Sequence, residues 1–334
     1  MPLSDPRFLA LCDWIARTLG DDAKVMLISG DASFRRYFRV FHRQASFIAM
    51  DSPPEMVPVQ PFIALANEYR RQGVSAPLVI AEDIDSGFLL LSDLGDQQLL
   101  SVLDKANVSA YYQQALSLLD KVVAITAADG KSLPIYDDEF VLRELRIFCE
   151  WLVEHHLKIV IDGPTQALLD ETFSLLVANV AEQPKAGMHR DYHSRNLMLV
   201  EENLAVIDFQ DAVIGPITYD AVSLLRDCYV RWPDAIVDPL RTQHYQQLLS
   251  LGLISKEVSF QQYCRWFDLM GIQRHLKAAG IFCRLNYRDG KLGYMKDIPL
   301  TLEYVVDIGK HYPELDSFTQ WLTDTILPRM SIQS

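Results

Sequence analysis

The chain has 334 residues, 49% hydrophobic and 22% charged, which is apolar material for a full core and a length of about two domains. Its net charge of −13, from 31 Lys+Arg against 44 Asp+Glu, excludes general nucleic-acid binding, which needs a net basic footprint, but leaves room for a local basic pocket. No apolar run approaches the ~18 residues of a membrane helix. Residues 1–7 show no basic-then-apolar leader, and five scattered cysteines without a C-x-x-C pair suit reduced thiols, so a cytoplasmic protein with no membrane contact is expected.

Taken along the chain, Phe8, Leu11, Cys12, Ile15 and Leu19 form a helical stripe. Short apolar runs at 25–28, 37–41, 47–50, 78–81 and 88–92, divided by turn residues, predict strands. One helix, about Val59 to Arg71, interrupts them, with Pro58 and Pro61 near its start. After Gly95 the pattern turns helical, with apolar faces at Tyr112/Leu116/Leu119, at Leu142/Leu145/Phe148/Leu152 and at Leu168/Leu169/Phe173/Leu176. A hairpin is expected among these helices, from Leu197–Val200 and Leu204–Phe209. The predicted fold is α+β, with a β-rich lobe over 1–95 and a larger helical lobe over 96–334.

The chemistry concentrates in His189-Arg190-Asp191-Tyr192-His193-Ser194-Arg195-Asn196 and Ile207-Asp208-Phe209-Gln210-Asp211. An Asp, an Asn five residues on, and an Asp at the end of a hairpin strand form a phosphoryl-transfer layout. An acceptor hydroxyl needs a carboxylate to orient it and take its proton, which Asp191 supplies. A nucleotide triphosphate needs Mg2+, a hard cation that prefers oxygen ligands, here Asn196 and Asp208. Catalysis of this kind is mostly positioning and charge neutralisation.

This segment resembles the aminoglycoside phosphotransferase and choline kinase superfamily, which has the protein-kinase-like two-lobed fold. The resemblance implies ATP and Mg2+ as cofactors, Asp191 as catalytic base, and Asn196 and Asp208 as metal ligands. His189, His193 and Asp220 are expected to support the catalytic loop, Asp220 by accepting its backbone N–H groups. Asp211 stands where relatives carry an acid that reaches metal through water or bonds only backbone. A metallohydrolase using His189, Asp191 and His193 leaves Asn196 without a role.

In the small lobe the phosphate loop is Gly30-Asp31-Ala32-Ser33-Phe34-Arg35-Arg36-Tyr37, with one glycine where the family motif has several. Ser33 is a candidate phosphate contact. The third strand offers Met50 where the superfamily carries a lysine, and no lysine lies between Ala32 and Lys105. Arg35 or Arg36 is therefore expected to meet the phosphates, since a guanidinium binds phosphate bidentately; the alternative is that both only coat a strand. Glu68 fits the helix glutamate that pairs with the absent lysine. Leu91, Ser92, Asp93 and Leu94 form the linker expected to meet adenine. Met50 also motivates a rival reading, a nucleotide-binding pseudokinase.

For the acceptor, Arg226 and Asp227 form a polar step in an apolar helix. On a later helix Arg274, Lys277 and Arg284 fall within roughly 80° of arc. These residues either recognise an anionic or hydroxyl-rich acceptor or form a solvated basic face. The runs HRDYHSRNLM, IDFQDA, GPITYD, SLLRD and QRHLKAAGIF are similar to bacterial kinases of amino sugars that act on the anomeric C1 hydroxyl in cell-wall recycling. That similarity implies a small-molecule sugar acceptor, and a monomer is expected; phosphotransferases of aminoglycosides, choline or other alcohols remain the alternative.

Overall fold

Asp5 begins the first helix by accepting the Phe8 N–H at 2.9 Å, Pro6 follows without an N–H to lose, and Gly20 ends it at φ 124°. The structure, a computed structural model, describes residues 5–28 and 34–332. The expected phosphate contact Ser33, with 29–32, lies outside the described residues. In chain order the elements are α1 (Pro6–Leu19), β1 (Lys24–Leu27), β2 (Arg36–His42), β3 (Ala45–Asp51), α2 (Gln60–Arg71), β4 (Val79–Asp83) and β5 (Phe88–Ser92). Then come α3 (Val108–Val122), the short pair β6 (Ala127–Ala128) and β7 (Lys131–Ser132), α4 (Asp138–Ile147), α5 (Gly163–Glu182) and β8 (Lys185–Met188). These are followed by β9 (Leu197–Val200), β10 (Asn203–Val206), β11 (Val213–Pro216), α6 (Tyr219–Leu225), α7 (Asp234–Ser250), α8 (Phe260–Asp289) and α9 (Ile298–Gly309). No helix among the described residues is long and apolar enough to cross a membrane.

The chain forms two compact units. The first holds an antiparallel five-stranded sheet in the order β1-β2-β3-β5-β4. Strand alternation puts Phe38, Val40, Ala49, Phe88 and Leu90 on one face, which α1 covers with Phe8, Leu11, Trp14 and Ile15. Arg36 and Asp51 are register partners at the end of that face. Met50 pairs with Tyr37 and Leu89 on the opposite face and is fully buried.

The predicted boundary at residue 95 needs a correction. The first unit runs to Val102 and also takes Ala127–Ser132 and Arg195–Asp211. The physical reason is local bonding of the β9–β10 hairpin. Leu199 N–H donates to Gln97 O at 2.8 Å and Val206 N–H to Ser75 O at 2.7 Å. The buried Phe209 ring stands 5.1 Å from both Tyr69 and Phe62 of α2. The expected hairpin is present, with Glu201 at φ 57° in its turn.

The second unit is helical apart from β8 and β11, which pair antiparallel in the register Val213 with Met188. Its axis is α8, thirty residues long, capped by Ser259 and ended by Gly290 at φ 68°. A Cβ on Gly280 would sit 2.5 Å from Ile147 O, so only glycine lets α8 approach the end of α4 this closely. That approach brings the acid of one helix to the base of the other.

Candidate active site

The loop expected to be catalytic leaves β8 at His189. Asp220, in the first turn of α6, accepts the N–H groups of His189 at 2.7 Å and Arg190 at 3.0 Å. His189 Nδ1 accepts the Asp191 N–H at 3.2 Å, and the His193 N–H donates to Asp191 O at 3.0 Å. Asp227 accepts the Ser194 N–H at 2.9 Å and the Ser194 hydroxyl at 2.5 Å. Tyr192, fully buried, donates its hydroxyl to Ala115 O at 2.8 Å. Arg190 adopts φ 77°, a left-handed conformation uncommon for a non-glycine residue and one that these bonds hold in place.

Around Asp191 lies a buried charge network. Lys277 Nζ is 3.2 Å from Glu144 Oε1, 3.1 Å from the Tyr219 hydroxyl and 4.0 Å from Asp191 Oδ1. Arg190 Nη2 donates to Glu144 Oε1 at 2.9 Å, the Tyr136 hydroxyl donates to Glu144 Oε2 at 2.6 Å, and Gln273 Nε2 donates to the Tyr136 hydroxyl at 2.9 Å. Lys277 and Glu144 are nearly inaccessible, whereas the Asp191 side chain is 38% exposed and so can meet a substrate. Burial alone would raise the Asp191 carboxyl, but Lys277, His193, Arg190 and Arg274 together hold it well below the ordinary carboxylate range. Asp191 is therefore ionised at neutral pH. The same carboxylates hold Lys277 protonated against its burial.

Asn196 and Asp208 belong to the first unit. Pairing of the hairpin continues one step past its ladder, Ile207 N–H to Asn196 O at 3.0 Å, which brings Asp208 beside Asn196. Asn196 Nδ2 is 3.3 Å from Asp208 Oδ2, and Gln210 Nε2 donates to Asp208 Oδ1 at 2.6 Å. Asp208 is at φ 64°. Among the described residues no cluster of three His, Cys, Asp or Glu could hold a metal. An amide oxygen and one carboxylate are hard donors of the number Mg2+ usually takes from protein, the rest coming from phosphates and water, so these residues fit that ion.

The nucleotide candidates are placed as follows. Arg36 bonds Asp5 at 2.5 Å and also pairs with Asp51, which Arg7 reaches at 2.9 Å through Nε. Arg36 thus ties β2 to α1, on the face opposite Met50. Arg35 is buried just before β2. Glu68 pairs with Arg71 at 2.6 Å and Gln72 at 2.9 Å, both on its own side of the chain and neither on β3. Leu91 is buried in β5, Ser92 bonds Leu78, and Asp93 is held by Arg39 at 3.1 Å and caps the Gly95 N–H at 2.9 Å; Leu94 follows half-buried.

The acceptor candidates are placed as follows. Arg274 and Lys277 do not lie on a solvated basic face; both are buried, and only Arg284 of that stripe is half-buried. Arg226 ends α6 and donates to Asp268 at 2.6 Å, while Asp227 turns to Ser194. Asp211 is exposed. Glu144 went unnoticed in the sequence. The available signal was an acid inside the apolar stripe of α4, beside the buried Val141 and Leu145.

The model of the phosphotransferase enzyme family matches residues 24–252. The chain is 39% identical over 323 residues to an N-acetylmuramate/N-acetylglucosamine kinase of Pseudomonas aeruginosa, covering 93% of this chain and 94% of that one. It is 37% identical over 326 residues to the protein of the same name in Pseudomonas putida, covering 94% and 95%. Among solved structures it is similar to the Plasmodium vivax ethanolamine kinase, with a TM-score of 0.64, 11% identity, and coverage of 90% of this chain and 87% of that one.

Proposed function

Because the chain belongs to the phosphotransferase enzyme family, we propose that this small-molecule kinase phosphorylates the anomeric C1 hydroxyl of an amino sugar, N-acetylmuramate or N-acetylglucosamine, in cell-wall recycling. ATP is the donor that the family's chemistry implies. The observation that carries the reading is the state of Asp191: ionised, 38% exposed, and ringed by Lys277, Arg190 and Arg274. A carboxylate held so acidic is a weak base. It suits an acceptor hydroxyl that is itself acidic, as an anomeric hydroxyl is, and a loose transition state in which the proton leaves late.

In this reading Asp191 accepts the hydrogen bond of the C1 hydroxyl, aligns its oxygen and takes its proton as the bond to phosphorus forms. Asn196 and Asp208 hold Mg2+, which when bound neutralises phosphate charge. Arg35 or Arg36 meets the phosphates, with Ser33 beside them, and residues 91–94 meet adenine. Asp220, His189, His193 and Asp227 keep the loop in shape.

The test is incubation with ATP, Mg2+ and each sugar, followed by phosphorus NMR. A new phosphate signal coupled to the C1 proton is the expected result. Turnover of choline or kanamycin with no sugar phosphate would overturn the proposal.

A further inference from the structure

Alternation along β2 puts Phe38 and Val40 under α1 and sends Arg39 to the other face of the sheet, the face that carries Met50. Its register partner is Ile48 of β3, which pairs in turn with Leu91 of β5. From there Arg39 reaches the segment that follows β5. Its Nε stands 2.7 Å from Asp93 Oδ2, and its Nη2 donates to Asp93 Oδ1 at 3.1 Å. Nη1 donates to both Asp96 carboxylate oxygens, at 2.6 and 2.7 Å, and Nη2 also to Gly95 O at 3.2 Å. One guanidinium on β2 thus grips the chain on both sides of Leu94.

The grip matters because little else shapes this segment. Residues 93–96 lie in no helix or strand, and among the described residues they make no backbone-to-backbone hydrogen bond. Gly95 turns the chain at φ 82° with its N–H on Asp93 Oδ1 at 2.9 Å, so Asp93 holds the turn and Arg39 holds Asp93. The two ion pairs are unequal. The Asp93 side chain is 6% exposed and that of Arg39 17%, whereas Asp96 is 80% exposed and its pair is screened by water. The Leu94 N–H and C=O are engaged by no group among the described residues. A peptide held in place yet left open offers a donor and an acceptor together, and adenine carries both on its edges.

We propose that Arg39 is a positioning residue for the donor nucleotide: it fixes the shape of residues 93–96 so that the Leu94 peptide meets the adenine edge. The inference rests on the reading above that residues 91–94 meet adenine. In this account Arg39 acts through the segment and touches no part of the nucleotide. Its effect is pre-organisation, since a segment already ordered loses less freedom when a ligand binds.

The experiment measures kcat and the KM values of nucleotide and sugar, with ATP and with GTP as donor, in wild type, Arg39→Met, Arg39→Lys and Asp93→Asn, beside thermal melting. Calorimetry with a nonhydrolysable ATP analogue gives the same comparison without turnover. Arg39→Met should raise KM for ATP about tenfold, the worth of ordering a short segment in advance. At saturating ATP, kcat and KM for the sugar should stay within about threefold of wild type, because only nucleotide binding is touched. Wild type should prefer ATP to GTP, since guanine has an acceptor oxygen where adenine has a donor amine, and Arg39→Met should narrow that preference. Arg39→Lys, which keeps the charge and loses the fork, should fall between. Asp93→Asn keeps its amide oxygen for the Gly95 N–H and loses the ion pair, so it should follow Arg39→Met. A loss spread equally over kcat and both KM values, or a KM for ATP unchanged in Arg39→Met and Asp93→Asn, would overturn the proposal. If Arg39→Met does not fold, Arg39→Lys and Asp93→Asn decide by the same split. A wild type that binds and uses ATP and GTP alike removes the adenine reading of residues 91–94 and this inference with it. A wild type selective for ATP beside indifferent variants removes this inference alone.

Discussion

Lys277 Nζ stands 4.0 Å from Asp191 Oδ1 while also bonding Glu144, so one buried ammonium faces both the proposed catalytic carboxylate and a structural one. Removing it should let burial raise the Asp191 carboxyl, since Lys277 is the largest attraction holding it down. Lys277→Met is therefore expected to move the acidic limb of kcat/KM to higher pH. A pH–rate profile reads this directly; a limb at the wild-type position would remove Lys277 from the control of Asp191.

Glu144 neutralises two buried cations and accepts from Tyr136. Glu144→Ala leaves Arg190 and Lys277 without that carboxylate, and breaking a buried pair in this way costs about 3–5 kcal/mol. Tyr136→Phe removes one neutral donor and should cost about 1 kcal/mol. Urea unfolding of both variants checks the order and the gap.

Binding and turnover should separate at the two carboxylates of the proposed site. Asp191→Asn and Asp208→Ala are each expected to abolish sugar phosphorylation. Calorimetric titration with Mg2+ and a nonhydrolysable ATP analogue should find nucleotide affinity largely kept in the first and lost in the second. Similar affinities in both variants would count against Asp208 as the metal ligand.

Arg35 and Arg36 differ in what holds them. Arg36→Ala removes the tie from β2 to Asp5 and Asp51 and should lower the melting temperature as well as affect ATP. Arg35→Ala should raise KM for ATP with a smaller thermal effect. Steady-state kinetics decide: full activity in both variants would remove either arginine as the stand-in for the absent lysine.

Acid stability offers a test at the start of the chain. Asp5, bonded to Arg36 and to the Phe8 N–H, titrates at about 2 instead of 3.8. A carboxyl lowered by folding stabilises fully above its unfolded pKa and ceases to as pH falls through the folded one. The urea midpoint of wild type should exceed that of Asp5→Ala at neutral pH, where the lost helix cap alone costs about 1 kcal/mol. The difference should shrink between pH 4 and pH 2.

Period-two and helical patterning are local properties, and they located β1 to β5, α2 and β9 within a residue or two, while the second hairpin strand, expected to reach Phe209, ends at Val206. The spacing of Asn196 and Asp208 likewise anticipated their meeting, because a hairpin of that length returns its far strand to its near one. Partner choice is not local. Whether Arg274 and Lys277 faced water could not be read from α8, since a charged stripe looks the same on a wet face and a dry one. The close approach at Gly280, the acid on α4 and the thiol at the end of α6 decided it. The sequence by itself thus determined most of the elements and nominated the groups of the proposed site. Only tertiary packing decided which carboxylate each buried cation meets, because the partners come from other elements, as Glu144 does for Lys277 and Asp268 for Arg226.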